Sequence, residues 1–154
     1  MATINATISI SSPDLTSSPI NLNKMMTLTK AGTTTGLEQT SGIVRRQFTS
    51  TDQVNLVATG AQNYGTPTAT TNSNKIYIKN TGSSTTDYVL IGLGDAGGGT
   101  ATTDAVNGDS MTIGRLYGGD WMLIPAHLAT DVGDIWIAPS SSALVAVEFI
   151  LFFE

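Results

Sequence analysis

KIYIKN at residues 75–80, YVLIGLGD at 88–95, MTIGRLYGGDWMLIP at 111–125 and DIWIAPSSSALVAVEFILFF at 134–153 decide the fold of this chain. Each is a short apolar burst bounded by Gly, Ser, Thr, Asn or Asp, and none carries the 3.6-residue period of a helix. The series predicts an all-β chain: an antiparallel β-sandwich or barrel, jelly-roll-like or another Greek key, since strand count fits either. Its last strand is apolar in both phases. Val145, Val147, Phe149, Leu151 and Phe153 share one face; Leu144, Ala146, Ile150 and Phe152 share the other, interrupted by Glu148. Exposed at a sheet edge, such a strand templates aggregation. It is therefore expected to be central and covered on both faces, or covered on its second face by another subunit.

Working outward, residues 3–10 (TINATISI) alternate, with Ile4, Ala6, Ile8 and Ile10 on one face and Thr3, Asn5, Thr7 and Ser9 on the other. That pattern predicts a half-buried strand. SSPDLTSSP breaks it, and the alternation returns with Ile20, Leu22, Met26 and Leu28 in phase around Lys24. AGTTTG reads as a turn; Ile43–Phe48 and Val54–Val57 read as weaker strands, with Val44, Arg46 and Phe48 on one face. Residues 58–74 and 94–110 are long Thr/Gly-rich connections, and Pro125 is expected to end the strand that starts at Trp121 because it lacks a ladder donor. The organisation expected is one β domain over 1–154, with 1–19 as an extended N-terminal arm and 75–154 as the tightest core.

Composition narrows the chemistry. The 154 residues contain no cysteine and one histidine, which excludes disulfides, thiolate metal sites and His-pair metal sites within one chain. Charged residues make up 12%, about half the usual ~25%, while 24 Thr and 14 Ser supply the polar surface. A net charge of −5, with Arg45-Arg46 as the only adjacent basic pair, argues against nucleic-acid binding. No window approaches the ~18 apolar residues of a membrane helix, and Met1-Ala-Thr-Ile-Asn has neither the basic nor the apolar region of a signal peptide.

Each candidate site has a plainer reading. Gly92-Leu93-Gly94-Asp95-Ala96-Gly97 matches the dinucleotide fingerprint GxGxxG after a strand, but GGTATTDAVNGDS follows where a phosphate-holding helix must start, so a hairpin loop is expected. Asp95, Asp104 and Asp109, and the pair Asp131 and Asp134, match no calcium-loop spacing and read as turn chemistry. His127 has no GxSxG elbow to serve and reads as a loop histidine. Glu148 is a carboxylate in an apolar strand, explained by an ion pair with Arg45, Arg46 or Arg115. Trp121 and Trp136 lie inside strand bursts, where packing outweighs sugar stacking. No catalytic residue, cofactor or metal is expected.

The order formed by Lys79-Asn80, a Ser/Thr turn, a strand reaching Gly92, the Gly118-Gly119-Asp120-Trp121 turn, Pro125 and the apolar strand Val145–Phe152 resembles small β-rich virion proteins of tailed bacteriophages, of the head decoration or cement type. The likeness covers about half of the chain and is a pattern of strands and turns. It implies a non-enzymatic structural protein on the outer surface of the capsid, made in the host bacterial cytoplasm. The partners implied are the major capsid protein, over its subunit junctions, and the chain itself, as a homo-oligomer with a trimer favoured over a dimer; neither nucleic acid nor membrane is implied. Ile4, Ile8 and Ile10 on the arm, with Trp121, Trp136, Phe149 and Phe152, are the expected interface residues. Rival readings are a tail-fibre or receptor-binding module that recognises surface glycans through Trp121, Trp136 or Tyr64, a baseplate, neck or tail component, and a lectin-like carbohydrate-binding module.

Overall fold

Alternation, β-branched residues and turn chemistry produce strands throughout. The computed structural model of the chain describes residues 3–14, 19–30, 32–37, 39–57, 74–94, 111–126, 135–141 and 144–153. Among them run eleven strands and no helix: β1 (Asn5–Ser12), β2 (Ile20–Thr27), β3 (Gln39–Thr40), β4 (Val44–Phe48), β5 (Val54–Val57), β6 (Asn74–Asn80), β7 (Tyr88–Leu93), β8 (Met111–Tyr117), β9 (Trp121–Ala126), β10 (Ile135–Pro139) and β11 (Val145–Phe153). Every strand pairing is antiparallel.

Two sheets pack face to face as a sandwich. One has four strands in the order β5-β10-β7-β8; the other has five, in the order β3-β11-β6-β9, with β4 also on β11. No pairing closes either sheet into a barrel among the described residues. The core lies between them, with Phe149, Leu151, Ile76 and Ile78 from one sheet against Ile91 and Ile137 from the other, all fully buried. β11 is central, as its two-faced apolar sequence demands. β6 flanks one edge, while β4 and then β3 share the other. Between those two short strands Ser41 completes the ladder: its N–H donates to Leu151 O (3.0 Å) and its Oγ accepts from Leu151 N (2.9 Å).

The Tyr117–Asp120 turn is an arch between the sheets, because β8 and β9 belong to different ones. Gly119 takes a φ of 89°, which favours glycine, and the Asp120 carboxylate accepts from Tyr117 N (3.0 Å). Asn80, at the end of β6, holds the arch: its N–H donates to Asp120 O and its carbonyl accepts from Gly119 N, each at 3.0 Å. Its buried side chain donates to Leu116 O on β8 (3.0 Å) and accepts from Gly82 N (2.9 Å), so one amide joins the sheets. Arg46 does the same at the other side, donating from Nη1 to Asn55 O (2.8 Å) and Leu56 O (3.1 Å).

Two expectations change here. Pro125 lies inside β9 and does not end it; β9 is an edge strand, where a missing N–H costs no ladder bond. The N-terminal arm is a two-stranded ribbon, β1 with β2, and thus extends beyond residue 19. The long connections expected over 58–74 and 94–110, Tyr64 among them, lie outside the described residues apart from Asn74 and Gly94.

Candidate functional site

The ribbon and the sheet beneath it make an apolar cleft lined by described residues throughout. Register decides the ribbon's character: Ala6 faces Met26, Ile8 faces Lys24 and Ile10 faces Leu22 across the pair. Opposed residues point to the same side. One face of the ribbon is therefore apolar apart from Lys24 and Ser12, and the other carries Asn5, Thr7, Ser9, Asn21 and Asn23 with Met25. At the root, Leu28 N donates to Ile4 O (2.9 Å), Leu37 N donates to Leu28 O (2.8 Å), and both leucines are buried. Away from the root the same face is bare: Ile10 is 51% exposed, Met26 is 54% exposed, and Ile8 and Leu22 are exposed too.

Under the root, the ribbon lies over the outer face of the five-stranded sheet. Ile4, Ala6 and Ile8 oppose Tyr77, Trp121, Leu123, Ile150 and Phe152 across a cleft of about 390 Å³. The sheet residues share that face because Tyr77 pairs with both Leu123 and Ile150 in register. The Tyr77 and Trp121 rings sit 6.0 Å apart, tilted by 35°, and Trp121 is 51% exposed. The second face of β11 is thus half-buried by the chain's own arm. Neither full internal cover nor a bare face describes it.

Glu148 lies on this outer face, and Arg45 is directly opposite it on β4. Arg45 Nε donates to Glu148 Oε1 (3.0 Å), and Nη2 contacts the same oxygen. Register selects Arg45 among the three expected arginines: Arg46 points inward, and Arg115 lies over the Tyr88 ring (4.6 Å) on the other sheet. Burial raises the Tyr77 phenol above its ordinary value, with the Glu148 charge adding to the effect. The neutral phenol gives the cleft packing and hydrogen-bonding capacity.

The structure brings Ile4, Ile8, Trp121 and Phe152 together around this cleft, with Ile10 further along the arm. It places Phe149 and Trp136 elsewhere. Phe149 is 0% exposed between the sheets, because it has the inward phase of β11, so it offers no side-chain surface to a partner. Trp136 is also 0% exposed, on the four-stranded sheet, and its Nε1 donates to Leu93 O (3.2 Å). Its indole lies against Gly92, its register partner: a Cβ there would sit 2.0 Å from Trp136 Cζ2. The first glycine of the fingerprint-like stretch is explained by this close approach. Sequence reading placed Ile150 on the second face of the last strand but did not single out Tyr77 or Leu123; their signal is the second phase of strands whose first phase fills the core.

Among the described residues no group of three or more His, Asp or Glu side chains gathers as a metal site. His127, Asp95, Asp104, Asp109, Asp131 and Asp134 lie outside the described residues. Searches against protein-family models, curated proteins and solved structures found no match to this chain.

Proposed function

We propose that this chain is a non-enzymatic structural protein of a tailed-phage virion, a decoration or cement protein that binds over junctions of the major capsid protein on the outer surface of the head and self-associates. The observation that carries the reading is the arm, a ribbon with an apolar face half seated on its own sheet and half bare. A two-stranded ribbon alone is marginal in water, so an arm of this kind gains its stability when another surface covers it. Adhesion by area and repeated weak contacts suits a rigid sandwich carrying such an arm. The resemblance supports the virion setting, and its parts are joined physically: Asn80 and the Gly119–Asp120 arch hydrogen-bond to each other. The test is to locate the protein in an imaged particle and count it. Hundreds of copies on the head are expected; absence from virions would sink the reading.

Trp121 favours a second reading. A half-exposed tryptophan beside Tyr77 is a stacking platform with a phenol hydroxyl next to it. That arrangement suits a tail-fibre or lectin-like module binding glycans. Trp136, being covered, takes no part in it. Glycan binding lost on Trp121→Ala, with tens of copies per particle at most, would favour this reading over head decoration.

A further inference from the structure

We infer that the cleft between the arm and the five-stranded sheet binds a single-chain anionic amphiphile, an alkyl chain ending in a carboxylate, taken up as a free molecule. The inference goes beyond the proposed function and does not depend on capsid binding.

The lining selects the tail. Ile4, Ala6 and Ile8 stand above the cleft, Leu123, Ile150 and Phe152 lie below it, and the buried Leu28 lies at the root. The volume of about 390 Å³ falls within the ~300–1,000 Å³ of small-molecule sites, which are mostly apolar with a few polar groups that fix orientation. Sugar hydroxyls placed among these side chains would be buried without partners, whereas methylenes leave nothing unpaired. Register lays the floor in rows: Glu148, Lys79 and Trp121, then Ile150, Tyr77 and Leu123, then Phe152 and Lys75 with Pro125. The uncharged middle row is the track for the chain, and the first row is the place for its head.

Charge selects the head. Of the seven Lys and Arg, four stand around this cleft: Lys75 and Lys79 on either side of Tyr77, Arg45 across β11 from Lys79, and Lys24 opposite Ile8 on the arm. Among the described residues Glu148 is the one acid on this outer face, and Arg45 already engages it. Asp120 precedes Trp121, but its carboxylate belongs to the arch, where it accepts from Tyr117 N (3.0 Å). The Arg45–Glu148–Lys79 row therefore has one positive charge in excess, next to the half-exposed Trp121, in a chain whose net charge is −5. A carboxylate at Lys79 balances the row through a charge-assisted hydrogen bond, and the Tyr77 hydroxyl offers a second donor from the next row. Neutral and cationic heads leave the excess unmatched.

The test is calorimetric titration of the full chain with decanoate, using decanol and decyltrimethylammonium as the neutral and cationic matches. Decanoate should bind about 10-fold or more tightly than either, the scale of one hydrogen bond to a charged group. Octanoate, two methylenes shorter, should bind roughly 14-fold more weakly than decanoate. Lys79→Gln should remove the advantage of decanoate over decanol without changing decanol binding, and Lys79→Arg should keep it. Ile8→Asn, which makes the tail site polar, should weaken both ligands. Ile8 is exposed and Lys79 half-buried, so cooperative melting should persist and is measured alongside. No decanoate binding at about 1 mM, equal binding of the three heads, or unchanged decanoate affinity in Lys79→Gln would overturn the inference. Phosphatidylglycerol vesicles separate the source: vesicles bound without free decanoate would assign the face to a membrane surface and overturn it. A neutral oligosaccharide bound in place of decanoate would overturn it in favour of the glycan reading.

Discussion

β1 and β11 each carry an apolar phase, and those phases have opposite fates. In β11 the inward phase is sealed between two sheets, with Phe149 fully buried, while its outward phase is half covered. In β1 the apolar phase carries Ile8 and Ile10, both exposed, over a ribbon with no sheet of its own beyond β2. Alternation reports that a strand has an apolar face; what covers that face is set by distant segments. β11 is enclosed because β6, β4 and β3 flank it and the β7–β10 side of the sandwich lies across from it. The arm is paired only with itself. The core strand therefore serves stability, and the arm is left to serve contact.

The largest effect should come from breaking the sealed side. Phe149→Ala leaves a cavity among fully buried neighbours and should cost about 3–5 kcal/mol, enough to unfold a marginal domain. Ile10→Asn, an exposed change in the same kind of strand, should shift stability by no more than about 0.5 kcal/mol. Denaturant melts of the two variants decide the comparison: similar losses would mean that the arm belongs to the core after all.

Next in size is Gly92→Ala. The added methyl would meet Trp136 Cζ2 at 2.0 Å and Met111 O at 2.6 Å, and neither the packed indole nor the β8 backbone can yield cheaply. Overpacking of this kind should cost about 1–3 kcal/mol, read as a lower denaturation midpoint with the slope unchanged. An Ala at Gly114, whose added Cβ meets nothing within 4 Å, should cost less. Equal losses at the two glycines would remove the close-approach explanation of the fingerprint-like stretch.

Two buried asparagines on β6 give a smaller contrast. Asn80 makes both of its amide bonds, so Asn80→Ala should cost about 1–3 kcal/mol by stranding Leu116 O and Gly82 N. Asn74, buried at the other end of the strand, has no partner for either amide atom among the described residues. Asn74→Val should therefore stabilise by about 1 kcal/mol, since it removes an uncompensated polar group from the core side. Thermal melts of both variants with opposite signs are the expected result.

Much of the fold was legible because strand period and turn chemistry are local. The bursts at 75–80, 88–95, 111–125 and 134–153 hold strands β6, β7, β8 with β9, and β10 with β11. Relations between strands were not legible. The Tyr117–Asp120 turn has the same residues whether it closes a hairpin or, as here, arches between sheets. Trp121 and Trp136 sit in similar bursts, yet one is half exposed and the other covered. The difference lies in register, which puts Gly92 beneath Trp136 and Lys79 beside Trp121. Of the candidate site, the arm isoleucines, Trp121 and Phe152 were visible as unassigned apolar surface. Tyr77 was hidden by its neighbours, because Lys75 and Lys79 make its phase read as solvent-facing.

The smallest effect probes how well the arm covers that site. Burial first, and the Glu148 charge second, hold the Tyr77 phenol above its ordinary value near 10.0. Between the unfolded and the folded value the native state keeps a proton that the unfolded chain has already lost. Stability should therefore be level below about pH 10 and fall as pH rises through the folded value. The difference in phenolate absorbance between wild type and Tyr77→Phe isolates this group. Glu148→Gln should lower its midpoint part of the way, leaving the burial contribution. Ile8→Asn, which opens the cleft from the arm side, should lower it through the other cause. If Ile8→Asn leaves the Tyr77 midpoint untouched while Glu148→Gln moves it, the sheet alone buries the phenol. The arm would then rest on the sheet without shielding it from solvent.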